Sequence, residues 1–293
     1  MSASPNWPLF AAALAVAVAV LLVAARASER LLMDIAEEPT SRQPDGRTSE
    51  GQEAPVTSRD VADGAAADGE DPAAVGGEPH RSLEADATAE PPSGRSGVAS
   101  LTTEELLLNA GLSQALLGAV VVVAVWVARI PSSALGLADP PTTVLATGVG
   151  LGLGLAAANE ITAGLAARIG IDHDERLRTL LAPDSTRGWI ILLGGVLPLV
   201  AGVEELIFRG AVIGALSTGF GFSPWGLAVV SSVLFGLGHT AQGRGGVAVT
   251  AGLGFVLAAA FILTGSLVVV VVAHYLVNAV EFAVHEGLGR EPS

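Results

Sequence analysis

The feature that most limits how this chain can fold is a series of long apolar segments almost free of charge. Residues 7–25 (WPLFAAALAVAVAVLLVAA) contain no charged residue. That length matches the roughly 20 residues needed to cross a hydrocarbon core of about 30 Å. Six further segments follow: Leu101 to Val127, Pro141 to Ala158, and then residues 188–216, 224–241, 246–263 and 266–284. Gly221-Phe222-Ser223-Pro224, Gln242-Gly243-Arg244 and Thr264-Gly265 separate the last four. Inside lipid a backbone must satisfy its own hydrogen bonds, and without β-barrel alternation this means helices. The expected fold is all-α, a polytopic membrane helical bundle. Residues 1–27 form an N-terminal transmembrane anchor, residues 101–287 a six-helix body, and residues 288–293 a short tail. The N-terminal stretch MSASPNW has no basic residue, which favours a retained anchor, although Ala25-Arg26-Ala27 also fits a signal-peptide cleavage site.

Charge is confined to one part of the chain. Residues 29–105 hold 18 Asp or Glu and 6 Arg, a balance of −12 within the total of −14. Residues 28–100 are rich in Gly, Ala, Ser, Thr and Pro and have no aromatic residue, so they cannot bury enough surface to offset the entropy of ordering. They are expected to be a disordered acidic linker. Every one of the 15 basic residues is Arg, and there is no Cys. An acidic, Lys-free composition is of the salt-adapted, haloarchaeal-like type, because dense carboxylates keep a surface hydrated where the Debye length falls to about 3 Å at 1 M salt. It points to no nucleic-acid partner. The absence of Cys removes disulfides, thiolate metal sites and Cys nucleophiles.

The arginines also suggest an orientation. Arg26, Arg30, the four Arg of the 168–187 loop, Arg244 and Arg290 fall on one side if seven spans alternate, and only Arg129 falls opposite. The excess of basic residues on cytoplasmic loops then places the N-terminus outside and the C-terminus in the cytoplasm.

Few ionisable residues lie within the body's spans, and each costs about 2.5–3.5 kcal/mol on insertion scales, so they usually serve function. Glu204, Glu205 and Arg209 stand six or more residues after Pro198, which interrupts the helix hydrogen bonding. Glu205 and Arg209 are four apart, the spacing of a helical ion pair. Glu204 lies about 100° further round the helix and is left without that partner. It is therefore available as a general base, while Glu205–Arg209 reads as a structural brace. His274 and Asn278 share one helical face and could both hydrogen-bond a developing oxyanion, or simply join helices. His239 ends Phe235-Gly-Leu-Gly-His239 and gains weight only beside the others. His80, His173 and His285 have no assigned role, and Glu281 is left open.

Glu204-Glu205-Leu206-Ile207-Phe208-Arg209, Phe235-x-x-x-His239 and His274-x-x-x-Asn278 occur in that order. Together they resemble the EExxxR, FxxxH and Hxxx(N/D) motifs of the CPBP family, the CAAX proteases and bacteriocin-processing enzymes also called Abi. The resemblance covers about residues 101–287 and implies a metal-independent glutamic endopeptidase (a hydrolase) with its site inside the membrane. It implies that Glu204 activates water with help from His239, that His274 and Asn278 stabilise the oxyanion, and that Glu205, Arg209 and Phe235 support the site. The implied partners are membrane lipid and a membrane-associated or lipidated protein substrate. Eukaryotic relatives remove the last three residues of prenylated CAAX proteins, a specificity that does not transfer to this chain by motif alone.

Other chemistries lack their residues. There is no Gly-x-Ser-x-Gly, no HExxH and no Asp within a body span. Zinc held by Glu204, His239 and His274 is the nearest rival to a cofactor-free site. A non-enzymatic immunity or scaffold role, or a proton-coupled transporter, is a further alternative.

Overall fold

The computed structural model describes residues 4–37, 102–138, 143–168 and 176–287. Most of the expected linker, the 288–293 tail with Arg290, and His80 and His173 lie outside these residues. Among the described residues the fold is a helical bundle without strands. Helix α1 spans Trp7–Glu37, so it continues past the boundary expected at residue 27. Helix α2 spans Thr103–Ala128, α3 Val144–Arg168 and α4 Arg176–Leu181. The long helix α5 covers Thr186–Phe220, α6 Pro224–Leu237, α7 Gly243–Thr264 and α8 Leu267–Gly287. All but α4 and α6 are long and apolar enough to cross a membrane, which makes this a multi-pass membrane protein.

Local signals in the sequence account for several boundaries. Thr102 caps α2: its hydroxyl accepts from the Glu105 amide, and the Glu105 carboxylate accepts from the Thr102 amide at 2.8 Å. Ser223 caps α6 ahead of Pro224. Pro198 breaks the regular pattern as its missing N–H requires, and α5 contains wider π segments on either side of it. A π turn covers Leu192–Val196 just ahead of it, and a longer π run covers Leu206–Ala215.

Contacts sort the helix ends into two groups. At one end the Asn6 amide donates to the Ala128 carbonyl (2.8 Å) and the Leu267 amide to the Gly136 carbonyl (2.9 Å). Trp7 also lies on Gly219 at that end. At the other end Ser185 donates to Glu104, His285 meets Glu160, and Arg178 holds Glu281 and Glu286. Seven helices thus alternate in direction. The segment expected over 224–241 differs from the rest: α6 has only 14 residues, about 21 Å, against a core of about 30 Å. It stops at Gly236-Leu237-Gly238 and the chain turns through a short 3₁₀ segment, Thr240–Gln242. His239 is therefore set down half-buried at the turn that follows the short helix.

Glycines permit the closest helix contact. A Cβ on Gly152 would lie 2.9 Å from the Ala273 Cα, and one on Gly148 would lie 2.9 Å from the Val272 Cβ. This Gly-x-x-x-Gly face lets α3 press on the backbone of α8 beside His274, as the Gly-rich sequence of α3 suggests. Helix α1 is packed into the bundle and does not stand apart from it. Phe10, Leu14, Ala17 and Val18 are buried in one cluster with Phe208 and Phe235, and Leu21 lies against Gly238. Large apolar side chains such as Trp126 and Leu263 point outward, as a lipid-facing surface requires.

Candidate active site

The three motifs converge. Glu204, Phe235, His239, His274 and Asn278 line one cavity of about 330 Å³ whose remaining wall includes Val200, Val249, Leu253 and Val277. Glu205 and Arg209 lie behind it, both with no exposed surface. Glu204 comes from the middle of α5, His239 from the turn after the short α6, and His274 and Asn278 from α8.

The expected brace is present. Arg209 Nη1 donates to Glu205 Oε1 at 2.7 Å, and Nη2 donates to the Gly254 carbonyl at 2.8 Å. The guanidinium lies 4.7 Å from the centre of the Phe235 ring. Gly254 matters because a Cβ there would sit 3.0 Å from Phe235 and 3.5 Å from Arg209. Phe235 in turn stacks edge-on against Phe208 at 5.1 Å and His274 at 5.8 Å, and tilts against His239 at 4.7 Å. It is the apolar plate between the arginine and both histidines.

Helical spacing alone misses one contact. His274 Nδ1 donates to the same Glu205 oxygen at 2.8 Å. Glu205 is thus more than a partner for Arg209, because it also holds the imidazole ring. Glu204 faces the other ring nitrogen, with its Oε2 3.8 Å from His274 Nε2. The two adjacent carboxylates therefore bracket one histidine. Each carboxylate has a buried Oε2 without a hydrogen bond, but Glu205 Oε1 accepts two bonds, whereas Glu204 lines the cavity. A buried carboxylate oxygen left without a hydrogen bond is costly.

Hydrogen bonding also sets the histidine tautomers. A backbone carbonyl can only accept, so the 2.8 Å contact of His239 Nδ1 with the Phe235 carbonyl places a proton on Nδ1. Glu205 Oε1, which already accepts from Arg209, does the same for His274. Neutral His239 and His274 then both present Nε2 as an acceptor, and His274 can donate from Nε2 only as an imidazolium.

Residues without a sequence signature complete the rim. Glu281 accepts from Arg178 at 3.4 Å, Glu286 accepts from Arg178 at 2.8 Å, and His285 bonds Glu160 at 3.0 Å. Asn159, Glu160, Arg178, Gln242 and Thr250 all reach the cavity. Their partners lie up to 125 residues away, beyond any helical period. Among the described residues no group of three or more His, Cys, Asp or Glu is arranged to hold a metal ion, and this covers the Glu204, His239 and His274 set.

A family model described as type II CAAX prenyl endopeptidase Rce1-like matches residues 186–280. Residues 186–280 form an Rce1-like domain. This is consistent with the CPBP family. The Rce1-like domain runs from the start of α5 into α8 and contains all seven motif residues. It supports a protease of the CAAX-protease-type intramembrane endopeptidases. Helices α1 to α4 lie outside it. No curated protein and no solved structure matches the chain.

Proposed function

We propose that the Rce1-like domain hydrolyses a peptide bond of a membrane-associated substrate by means of water activated at Glu204. The carrying observation is that Glu204 lines one cavity together with His239, His274 and Asn278, with its Oε2 buried and without a hydrogen bond. Glu204 takes a proton from water while the water oxygen bonds to the carbonyl carbon, and the carbonyl electron pair moves onto its oxygen. His239 Nε2 accepts a hydrogen bond from the same water and aims it. The Asn278 amide and His274, as imidazolium, donate to the oxyanion. Glu204 then passes its proton to the departing nitrogen as the C–N bond breaks, leaving an acid and an amine. No cofactor enters these steps.

The arginine distribution supports a cytoplasmic C-terminus and an outer N-terminus. Arg30, Arg178, Arg187 and Arg244 belong to the end toward which the cavity opens, and Arg129 to the other. The substrate would then reach the site from the cytoplasmic side, as a membrane-associated or lipidated chain.

The test is Glu204→Gln in purified protein. The substitution keeps volume and removes the base, so turnover should fall by about 10²–10⁴ at unchanged melting temperature. Retained activity would refute the protease reading and leave the non-enzymatic immunity, scaffold or transport roles.

A further inference from the structure

Gln242 lies outside the three motifs, yet its surroundings hold it as if its amide had a task. It closes the 3₁₀ turn that follows His239, donating its backbone N–H to the His239 carbonyl at 3.0 Å. Its position is thereby tied to that of His239. Gly243 then takes φ +72°, a left-handed conformation that suits glycine, and the chain enters α7. The Gln242 side chain runs back along the first turns of α7. Gly246 leaves room for it, since a Cβ at that position would clash with the Gln242 Cβ. One turn further on, Thr250 donates its hydroxyl proton to Gln242 Oε1 at 2.7 Å.

In the structure the oxygen end of the amide is turned to Thr250. Oε1 is occupied by Thr250, so the NH₂ group is the free end, with two donors and no hydrogen bond among the described residues. Gln242, Thr250, Glu204, His239, His274 and Asn278 all line the same cavity. Val249 and Leu253 flank Thr250 on that wall and offer no acceptor.

Resting on the protease reading, we infer that Gln242 is a substrate-binding residue whose amide NH₂ donates to a main-chain carbonyl of the peptide beside the scissile bond. The acceptor is a neutral carbonyl rather than an anion for two reasons. The amide carries no charge, and among the described residues the rim carboxylates Glu160 and Glu281 outnumber its arginine, Arg178. A main-chain carbonyl is present in every substrate, so the contact orients the peptide without selecting its sequence. Gln242 holds the chain, and Glu204 does the chemistry.

The probe is a pool of lipid-anchored, quenched-fluorescent peptides of randomised sequence in detergent micelles. Gln242→Glu keeps the acceptor for Thr250 and removes both donors. Gln242→Ala removes the whole amide. Each should raise apparent KM about 5- to 10-fold, the value of one hydrogen bond of about 1 kcal/mol, with kcat within about twofold and the melting temperature unchanged. Thr250→Val should give a smaller rise in KM, because the amide is present but untethered. A structural role would instead lower the melting temperature and leave KM alone. Unchanged KM in both Gln242 variants overturns the inference.

A second measurement separates this inference from the protease reading. Affinity for the pool is measured by fluorescence anisotropy in the Glu204→Gln background, with and without Gln242→Glu. Binding weakened about 5- to 10-fold supports the Gln242 contact even if wild-type protein hydrolyses nothing, in which case the protease reading alone fails. Equal affinity, or no binding by either protein, overturns the contact.

Discussion

Replacing Arg209 by Met removes the cation from a contact that has no exposed surface. Glu205 then stays buried as an uncompensated charge, the Gly254 carbonyl loses its donor, and Phe235 loses the guanidinium on its face. Breaking one side of a buried pair costs about 3–5 kcal/mol. At about 2–4 °C per kcal/mol for a chain body of this size, the melting temperature should fall by roughly 6–20 °C. The second step is Glu205→Leu combined with Arg209→Met, which removes both charges at similar volume. Replacing both members of a buried pair by apolar residues is often neutral or stabilising, so the double variant should regain most of the lost melting temperature. It should not regain turnover, because His274 Nδ1 has lost the acceptor that holds its ring at 2.8 Å. The assay is thermal unfolding in detergent, followed by fluorescence-detected size exclusion, with hydrolysis measured on the same samples. Arg209→Met melting within about 2 °C of wild type would refute the energetic reasoning, which places its shift at several degrees or more. Recovered turnover in the double variant would refute the claim that Glu205 orients His274.

Three further outcomes follow from the packing and the proposed chemistry. Phe10→Ala removes a fully buried ring from the cluster that includes Phe208 and Phe235, and should destabilise the protein by about 3–5 kcal/mol in thermal unfolding; no shift would mean that α1 is only an anchor. The chain contains no Cys, so single-Cys variants report orientation cleanly. An impermeant maleimide should label Ser133→Cys in intact cells and label Arg244→Cys only after lysis, and the reverse pattern would invert the proposed topology. On the proposed chemistry, in which Glu204 activates the water without a metal, hydrolysis should survive prolonged chelation; loss restored by added zinc would favour the metal-dependent alternative.

The parts of the site legible in the sequence are those separated by one helical turn. Glu205 with Arg209, and His274 with Asn278, are four apart, and the geometry of a helix alone brings each pair onto one face. The apolar segments were legible for a similar reason: a span must be long and uncharged whatever its neighbours are. The helix cap at Thr102 and the Gly-rich face of α3 are equally local. The length of α6 was less so, because residues 224–241 are largely apolar, with only Ser231, Ser232, His239 and Thr240 as polar residues, yet the helix ends at Leu237.

Helical spacing assigned Glu205 to Arg209, and the folded chain has that ion pair; Glu204 does not stand alone, because its Oε2 lies 3.8 Å from His274 Nε2. Spacing could not reveal that Glu205 also holds His274, 69 residues later in the sequence. That contact depends on the depth and rotation of α5 relative to α8. The π run after Glu205, the backbone contact of Gly148 and Gly152 with α8, and the Phe235 plate between Arg209 and the histidines set this relation. Gln242 and the burial of α1 against the site helices have the same origin. The sequence by itself determined which residues are apolar enough to span and which polar residues are carried into the membrane. Only the tertiary structure decided which of them meet, because contact between helices depends on close packing across their faces, and no periodicity within one helix encodes it.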